Sequence, residues 1–327
     1  MKFIKRLVLI IIIVVFDIVL LLSGYAFAQP LIYRDYYRNA QREFEAAGLS
    51  AGMVPQGLAY CGGVYLQCGY MADNKSPSRI YITDDNSERC VELLDADGNP
   101  YMGHTGGIAV GERYVWLSND GDTAEDNCVW VIDKALLLDE DTTEIKLEKR
   151  FYPEVRGATC YAANGYLYVG EYYDGGRYST KESHRFDSTY GEHNALICIY
   201  KIDESTVLGI ASLIPEKAFS VRDNLQGVAV DADGNIILSC SRAIMNSKLE
   251  IYSCGEAEGV IEVDQAEVPV YVLDSKDLIH EVSMPPMSEG IVYKDGRVLV
   301  LYESACTKYI FGILTRGKDV YSYKPIY

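Results

Sequence analysis

The chain is short of basic charge, has few histidines, and lacks compact catalytic signatures. Of its 327 residues, 30 are Lys or Arg against 47 Asp or Glu, a net charge of −17. A nucleic-acid binder needs cations to meet phosphates, so that class of partner is excluded. Only four His occur, and there is no HExxH, P-loop, dinucleotide-binding or Ser-His-Asp arrangement. No metal and no cofactor is expected. The nine Cys include no CxxC pair, and their number is odd. An apolar share of 49% with a charged share of 24% excludes a disordered, collagen-like or multispanning membrane protein.

What is present begins with a membrane address. Lys2, Lys5 and Arg6 precede Leu7 to Leu22, in which Asp17 is the only polar residue. Residues 1–28 thus carry +2 and leave −19 for the rest. A basic start stays on the cytoplasmic side while the apolar run enters the bilayer. Two fates are open. Leu7 to Ala28 is long enough for an uncleaved anchor across a bilayer core of about 30 Å. Alternatively, Ala26-Phe27-Ala28 before Gln29 fits a signal peptide cut after Ala28. Asp17 costs about 2.5–3.5 kcal/mol at a helix centre in either case. Both fates put the remaining chain outside the cytoplasm, membrane-bound or secreted. Residues 29–52, with Tyr33, Tyr36, Tyr37 and Phe44 among charges and Gly48 as a stop, read as a partly helical stalk or linker.

The remainder repeats itself. A strand opening on Gly, a tight turn and a second apolar strand recur five times. The opening glycines are Gly57, Gly107, Gly157, Gly227 and Gly290. Asn164-Gly165, Asp233-Gly234 and Asp295-Gly296 are hairpin turns, since both residue types tolerate positive φ. Third strands are expected at 79–83, 128–132, 195–201, 248–253 and 308–314, and 320–323 is a fourth. Four strands per unit at this period predict an all-β fold, a five-bladed β-propeller, after the N-terminal helix and stalk. The blades are expected over about 53–102, 103–155, 156–224, 225–287 and 288–327. Val268 to Leu273 adds a strand of open position. A sandwich or an irregular solenoid is the alternative, but a sandwich leaves five copies of one hairpin unexplained.

Most Cys fall inside apolar strands and read as buried thiols. Cys240 and Cys254, flanking a hairpin, are the pair to test for a disulfide. Asp95-Ala96-Asp97-Gly98-Asn99 recurs as Asp231-Ala232-Asp233-Gly234-Asn235. A calcium loop of EF-hand type needs Glu at position twelve, where Gly106 and Arg242 stand, so both read as turns. The acidic stretch from Asn119 to Asp126 reads as a solvated loop.

In a propeller the starts of first strands and the ends of second strands share one face, here called the top. That face gathers Gln56, Thr105 with His104, Arg156, Gln226 and Glu289. It also gathers Asn119, Asp120, Glu171, Tyr172, Ser241, Arg242, Glu303 and Ser304. The long insertion 172–194 joins them. Gln56, Thr105, Arg156, Glu171, Gln226 and Arg242 are candidates to bind a small molecule, glycan or peptide. Glu289 and Glu303 could form a carboxylate pair that shares a proton, with His104 beside them as a third catalytic candidate. A surface scaffold for a protein partner is the remaining alternative.

Gln56-Gly57-Leu58-Ala59-Tyr60 with Val64-Tyr65-Leu66-Gln67 resembles the opening of the plant-type glutaminyl cyclases, which are five-bladed propellers. The resemblance covers about 15 residues, and the chain is also similar in general character to secreted bacterial propellers. The family's strand reads Leu-Tyr-Glu-Ser, and Gln67 stands at its acidic position. Here Leu301-Tyr302-Glu303-Ser304 carries that pattern in the fifth unit. The resemblance implies the propeller fold and, as one alternative, cyclotransferase chemistry.

Overall fold

The computed structural model describes every residue except 1, 85, 122, 310, 311, 313, 314, 316 and 327. Among the described residues, five antiparallel sheets stand around one axis, which defines a five-bladed β-propeller. Blade 1 is Met53–Cys61, Val64–Met71, Arg79–Thr83 and Glu88–Leu94. Blade 2 is Thr105–Val110, Tyr114–Asn119, Cys128–Asp133 and Lys149–Phe151. Blade 3 is Thr159–Ala163, Tyr166–Gly170, Ala195–Lys201 and Lys217–Val221. Blade 4 is Leu225–Val230, Ile236–Cys240, Ser247–Tyr252 and Leu278–Met284. Blade 5 takes Ser288–Lys294, Arg297–Tyr302 and Asp319–Tyr323 from the C-terminus. Its fourth strand, Ala40–Glu45, comes from the other end of the chain.

That fourth strand corrects the stalk reading of 29–52. It runs antiparallel to the last strand, with Ala40 opposite Tyr323 and Glu45 opposite Asp319. Arg42 pairs with Asp319 at 2.8 Å, and Phe44 packs on Tyr65 of blade 1. The ring is closed by pairing the two ends of the chain, which also covers an otherwise open sheet edge. Before it, the short helix Arg34–Asn39 buries Tyr36, stacked on Tyr323. The expected strand 308–314 is corrected too. Lys308 and Tyr309 are not in a strand, and 310, 311, 313 and 314 lie outside the described residues. Asp319–Tyr323 is the third strand of its blade, not the fourth.

The opening glycines mark where the inner strands meet. A Cβ on Gly57 would lie 2.8 Å from the Ile108 amide nitrogen. On Gly107 it would lie 2.3 Å from the Cys160 nitrogen, and on Gly227 2.7 Å from the Glu289 carbonyl oxygen. On Gly290 it would lie 2.7 Å from both the Gln56 oxygen and the Leu58 nitrogen. Backbones approach too closely there for any side chain. The third copy is offset by two residues. Gly57 pairs with Cys68 and Gly107 with Ser118, but in blade 3 the matching pair is Thr159 and Gly170. Ala158, not Arg156, therefore precedes the ring position of blade 3.

Neighbouring blades also share outer edges. Glu144–Lys146 pairs parallel with Glu88–Leu94. The hairpin Gly259–Val263 and Ala266–Val272, from within blade 4, docks parallel on Lys217–Val221 of blade 3. That is the position of the strand at Val268 to Leu273.

All nine Cys are free thiols, six of them buried. Cys240 lies opposite Lys248, while Cys254 lies beyond the far end of the strand Ser247–Tyr252. Six residues at about 3.3 Å each hold them far beyond bridging distance. The Asp95 and Asp231 carboxylates each accept backbone amides of their own turn, from Asp97 and Asn99 and from Asp233 and Asn235. The acidic stretch 119–126 includes residue 122, outside the described residues. Asp126 accepts from Thr123. Among the described residues no group of three or more His, Cys, Asp or Glu is placed to hold a metal. Among the described residues one helix, Phe3–Ile32, is long and apolar enough to cross a membrane.

Candidate functional site

A cavity of about 960 Å³ opens on the top face. First-strand starts supply Gln56, Ala158, Gln226 and Glu289. Ends of second strands and the loops beyond supply Tyr70, Asp120, Tyr172, Ile244 and Glu303, and Lys308 and Tyr309 follow. On the side of blade 3 the lining residue is the small Ala158. The polar floor lies on blades 1, 4 and 5. A second hollow of about 390 Å³ adjoins it and shares His104, Asp120, Arg177 and Tyr178.

The floor is a carboxyl pair. Glu289 and Glu303 are both buried. Burial, together with the Glu303 charge, raises Glu289 well above the usual carboxylate range. Burial raises Glu303 to about 7, opposed by Tyr309, Lys308 and Gln56. The two carboxyls hydrogen-bond each other, so at neutral pH the pair holds a proton. Two amides orient it. Gln56 Nε2 donates to Glu303 Oε2 at 3.0 Å, and Gln226 Nε2 donates to Glu289 Oε1 at 3.3 Å. His104 lies against Tyr70, ring centroids 4.6 Å apart. Burial, reinforced by the Lys308 ammonium, lowers its pKa to about 4, so its imidazole is neutral at pH 7. Lys308 donates to the Tyr70 hydroxyl.

Five of the nine candidates, Gln56, His104, Gln226, Glu289 and Glu303, are thus brought together; the other four are not in the lining. Thr105 is buried behind it, its carbonyl accepting from Cys68 Sγ at 3.3 Å. Arg156, displaced by the offset of its blade, donates Nε to Asp120 at 2.8 Å and Nη2 to the Gly121 carbonyl at 2.9 Å. It positions a lining carboxylate from outside. Arg242 is exposed on the rim loop between Cys240 and Ser247. Glu171 is buried below, accepting from the Leu196 amide at 3.0 Å. The sequence reading missed Tyr70, Lys308 and Tyr309. Tyr70 had a signal, since its strand runs on to Met71, past Gln67. Gln67 itself is not in the cavity: its oxygen accepts from the Ala47 amide and its amide donates to Thr83.

Glu171 belongs to a different cluster. His184 is buried between two carboxylates, Nδ1 2.8 Å from Glu171 and Nε2 3.3 Å from Glu154. Burial opposes its charge, but the hydrogen bonds its ring donates to both carboxylates outweigh burial and raise it to about 9. An ordinary His titrates near 6.5. The folded state therefore binds the proton more tightly than the unfolded chain. The resulting stability is full below about 6.5 and is lost as pH rises through about 9. His184→Gln is expected to cost about 3–5 kcal/mol at pH 7, because it takes from buried Glu171 its only cationic side chain among the described residues, while Glu154 keeps Lys181. Thermal melts from pH 6 to about 9.5 check this: the melting temperature of the natural protein should fall with pH, and that of the variant should fall less.

Fold and site together define a five-bladed β-propeller with a carboxyl-floored cavity on its top face. No protein-family model matches the chain, and no curated protein does. Similar solved structures include the PQQ-bound aldose sugar dehydrogenase from Streptomyces coelicolor. It is 19% identical over 80% of this chain and 78% of that one, with a TM-score of 0.46. The exo-β-1,3-galactanase from Phanerochaete chrysosporium with galactose is 10% identical over 86% and 64%, with a TM-score of 0.47. A protein of unknown function from Bacteroides thetaiotaomicron is 14% identical over 87% and 72%, with a TM-score of 0.37. At these values the likeness assigns neither ligand nor activity.

Proposed function

We propose that the chain is a membrane-anchored, extracytoplasmic propeller that binds a small polar ligand, a glycan or a peptide end, in the top-face cavity. The observation that carries this reading is the floor: a buried carboxyl pair oriented by two amides, under walls of Tyr70, Tyr172, Tyr178 and Tyr309. Apolar ring faces with a few convergent polar groups suit a sugar or peptide, and the volume suits a ligand of that size. The test is a thermal-shift screen of the propeller against oligosaccharides and peptides with N-terminal Gln. A shift lost in Glu289→Gln and Gln226→Ala is expected; the absence of any shift overturns the reading.

Retention of the helix as an anchor is supported by its continuity. It runs unbroken through Ala28 and Gln29, and Gln29 is buried. N-terminal sequencing of the mature protein from membranes checks this, and Gln29 as first residue would contradict it.

The carboxyl pair also favours a second reading, an acid–base enzyme of cyclotransferase or hydrolase type. A carboxyl held protonated near neutrality can donate a proton while its partner accepts one. Turnover of N-terminal-Gln peptides or glycosides that persists in Glu289→Gln and Glu303→Gln would remove that reading. The position of Gln67 weakens a cyclase-like assignment, because its amide is committed to the framework.

A further inference from the structure

We infer that the cavity-bearing top face is turned toward the bilayer that holds the N-terminal helix, with that bilayer's surface as its partner. The inference rests on the reading of Lys2–Ile32 as an uncleaved anchor, and it adds a direction that the anchor alone does not give.

The helix ends at the top rim. Blade 4 pairs Leu225 with Cys240, so the loop from Ser241 to Asn246 stands beside the first-strand start, on the cavity face. Tyr33, the residue after the helix, donates its hydroxyl to Asn246 of that loop at 2.8 Å. From there Arg34–Asn39 descends between blades 4 and 5 to the opposite face. The Asn39 carbonyl accepts there from the Lys324 amide, and Ala40 pairs with Tyr323. The strand Ala40–Glu45 then climbs back to the top.

The tether is short and stiff. Leu7 to Ala28 spans about 33 Å as a helix, which fills the hydrocarbon core. Only four residues separate Ala28 from Tyr33, five steps or about 8 Å of helical rise. Gln29, Tyr33 and Tyr36 are buried against the propeller, and the Tyr33 amide donates to the Gln29 carbonyl while Tyr37 donates to Tyr33. No flexible stretch intervenes. Pro30 within the helix can bend it, which changes its tilt and not the length of the tether.

The surface fits the pose. Ile244 and Met245, two residues before Asn246 and next to it, are 66% and 63% exposed, and Met102 on another top loop is 57% exposed. Ile244 and Met102 border the cavity itself. Apolar side chains at a headgroup boundary gain burial that water denies them. The charge of −19 beyond residue 28 resists spontaneous adhesion to anionic lipid, so contact is imposed by the tether rather than by attraction.

The test places a photo-crosslinking amino acid singly at Ile244 or Met245, and as controls at Val207 or Leu213. The controls are comparably exposed apolar positions in the loop after Lys201, on the opposite face. The full-length chain is expressed in membranes, extracted with alkaline carbonate and irradiated. The expected result is a chain retained in the membrane pellet, with lipid adducts several-fold more abundant at Ile244 and Met245 than at the controls. A retained chain with equal or reversed labelling overturns the orientation and leaves the anchor standing. A chain released by carbonate overturns both.

Discussion

A chain that begins at Met53 will fail to form a stable propeller, whereas one that begins at Gln29 will fold. Residues 29–52 carry no opening-glycine hairpin and look dispensable beside the five repeats. Yet removing them strips Ala40–Glu45 from blade 5 and exposes the backbone of Asp319–Tyr323 along its length. It also removes Tyr33 and Tyr36, both buried in the largest hydrophobic cluster. Burying one large side chain is worth about 1.5–3 kcal/mol, and whole-domain stability is only about 5–15 kcal/mol. Losing two such anchors and a strand consumes most of that margin and opens an edge prone to self-association. Expression of both truncations followed by size-exclusion chromatography and thermal melting checks it. The shorter chain should aggregate or melt without cooperativity. A monodisperse, cooperatively melting chain from Met53 would show that blade 5 closes without the N-terminal strand.

The second large effect comes from a single methyl group. Gly290→Ala would set a Cβ 2.7 Å from two backbone atoms of blade 1 and 2.9 Å from Gly57 Cα. Backbone in a closed ring cannot swing aside as a side chain can, so relief requires the blades to part. Overpacking of this kind costs about 1–3 kcal/mol, and more where the surroundings cannot yield. The control is Gly176→Ala, on the exposed insertion, where the nearest atom is 3.6 Å from the added carbon. Melting temperatures should fall by several degrees for the first and be unchanged for the second. Because Glu289 adjoins the displaced residue, ligand-induced shifts should weaken as well in Gly290→Ala.

These two expectations mark what was and was not legible in the chain. Hairpins announce themselves locally. Asn164-Gly165 and Asp295-Gly296 adopt the positive φ that tight turns require, and the opening glycines follow from ring geometry. Hence fold and blade number could be read directly, and the shared face of Gln56, Gln226, Glu289 and Glu303 followed from topology. The closing strand could not be read that way. Ala40 and Tyr323 are partners from opposite ends of the sequence, and nothing in Ala-Gln-Arg-Glu-Phe-Glu names the last strand as its mate. The hairpin at 259–272 likewise serves blade 3 though it lies inside blade 4. Arg156 illustrates a finer limit. Its Gly157 imitates the repeat, but the turn at Asn164-Gly165 fixes the register, and that register moves Arg156 out of the cavity and onto Asp120. Lys308 and Tyr309 were hidden by β-like composition, although neither of the two lies in a strand.

The central claim is that the carboxyl-floored cavity is the working site of this protein. Infrared difference spectroscopy of the carboxyl C=O stretch at pH 7, with and without an oligosaccharide or N-terminal-Gln peptide that gives a thermal shift, tests it most directly. The apo protein should show a protonated-carboxyl band that disappears in the Glu289→Gln, Glu303→Gln double variant. That band should move when the ligand binds. A protonated-carboxyl band that persists in the double variant, or one that a binding ligand leaves unmoved, would place the site elsewhere and contradict the account.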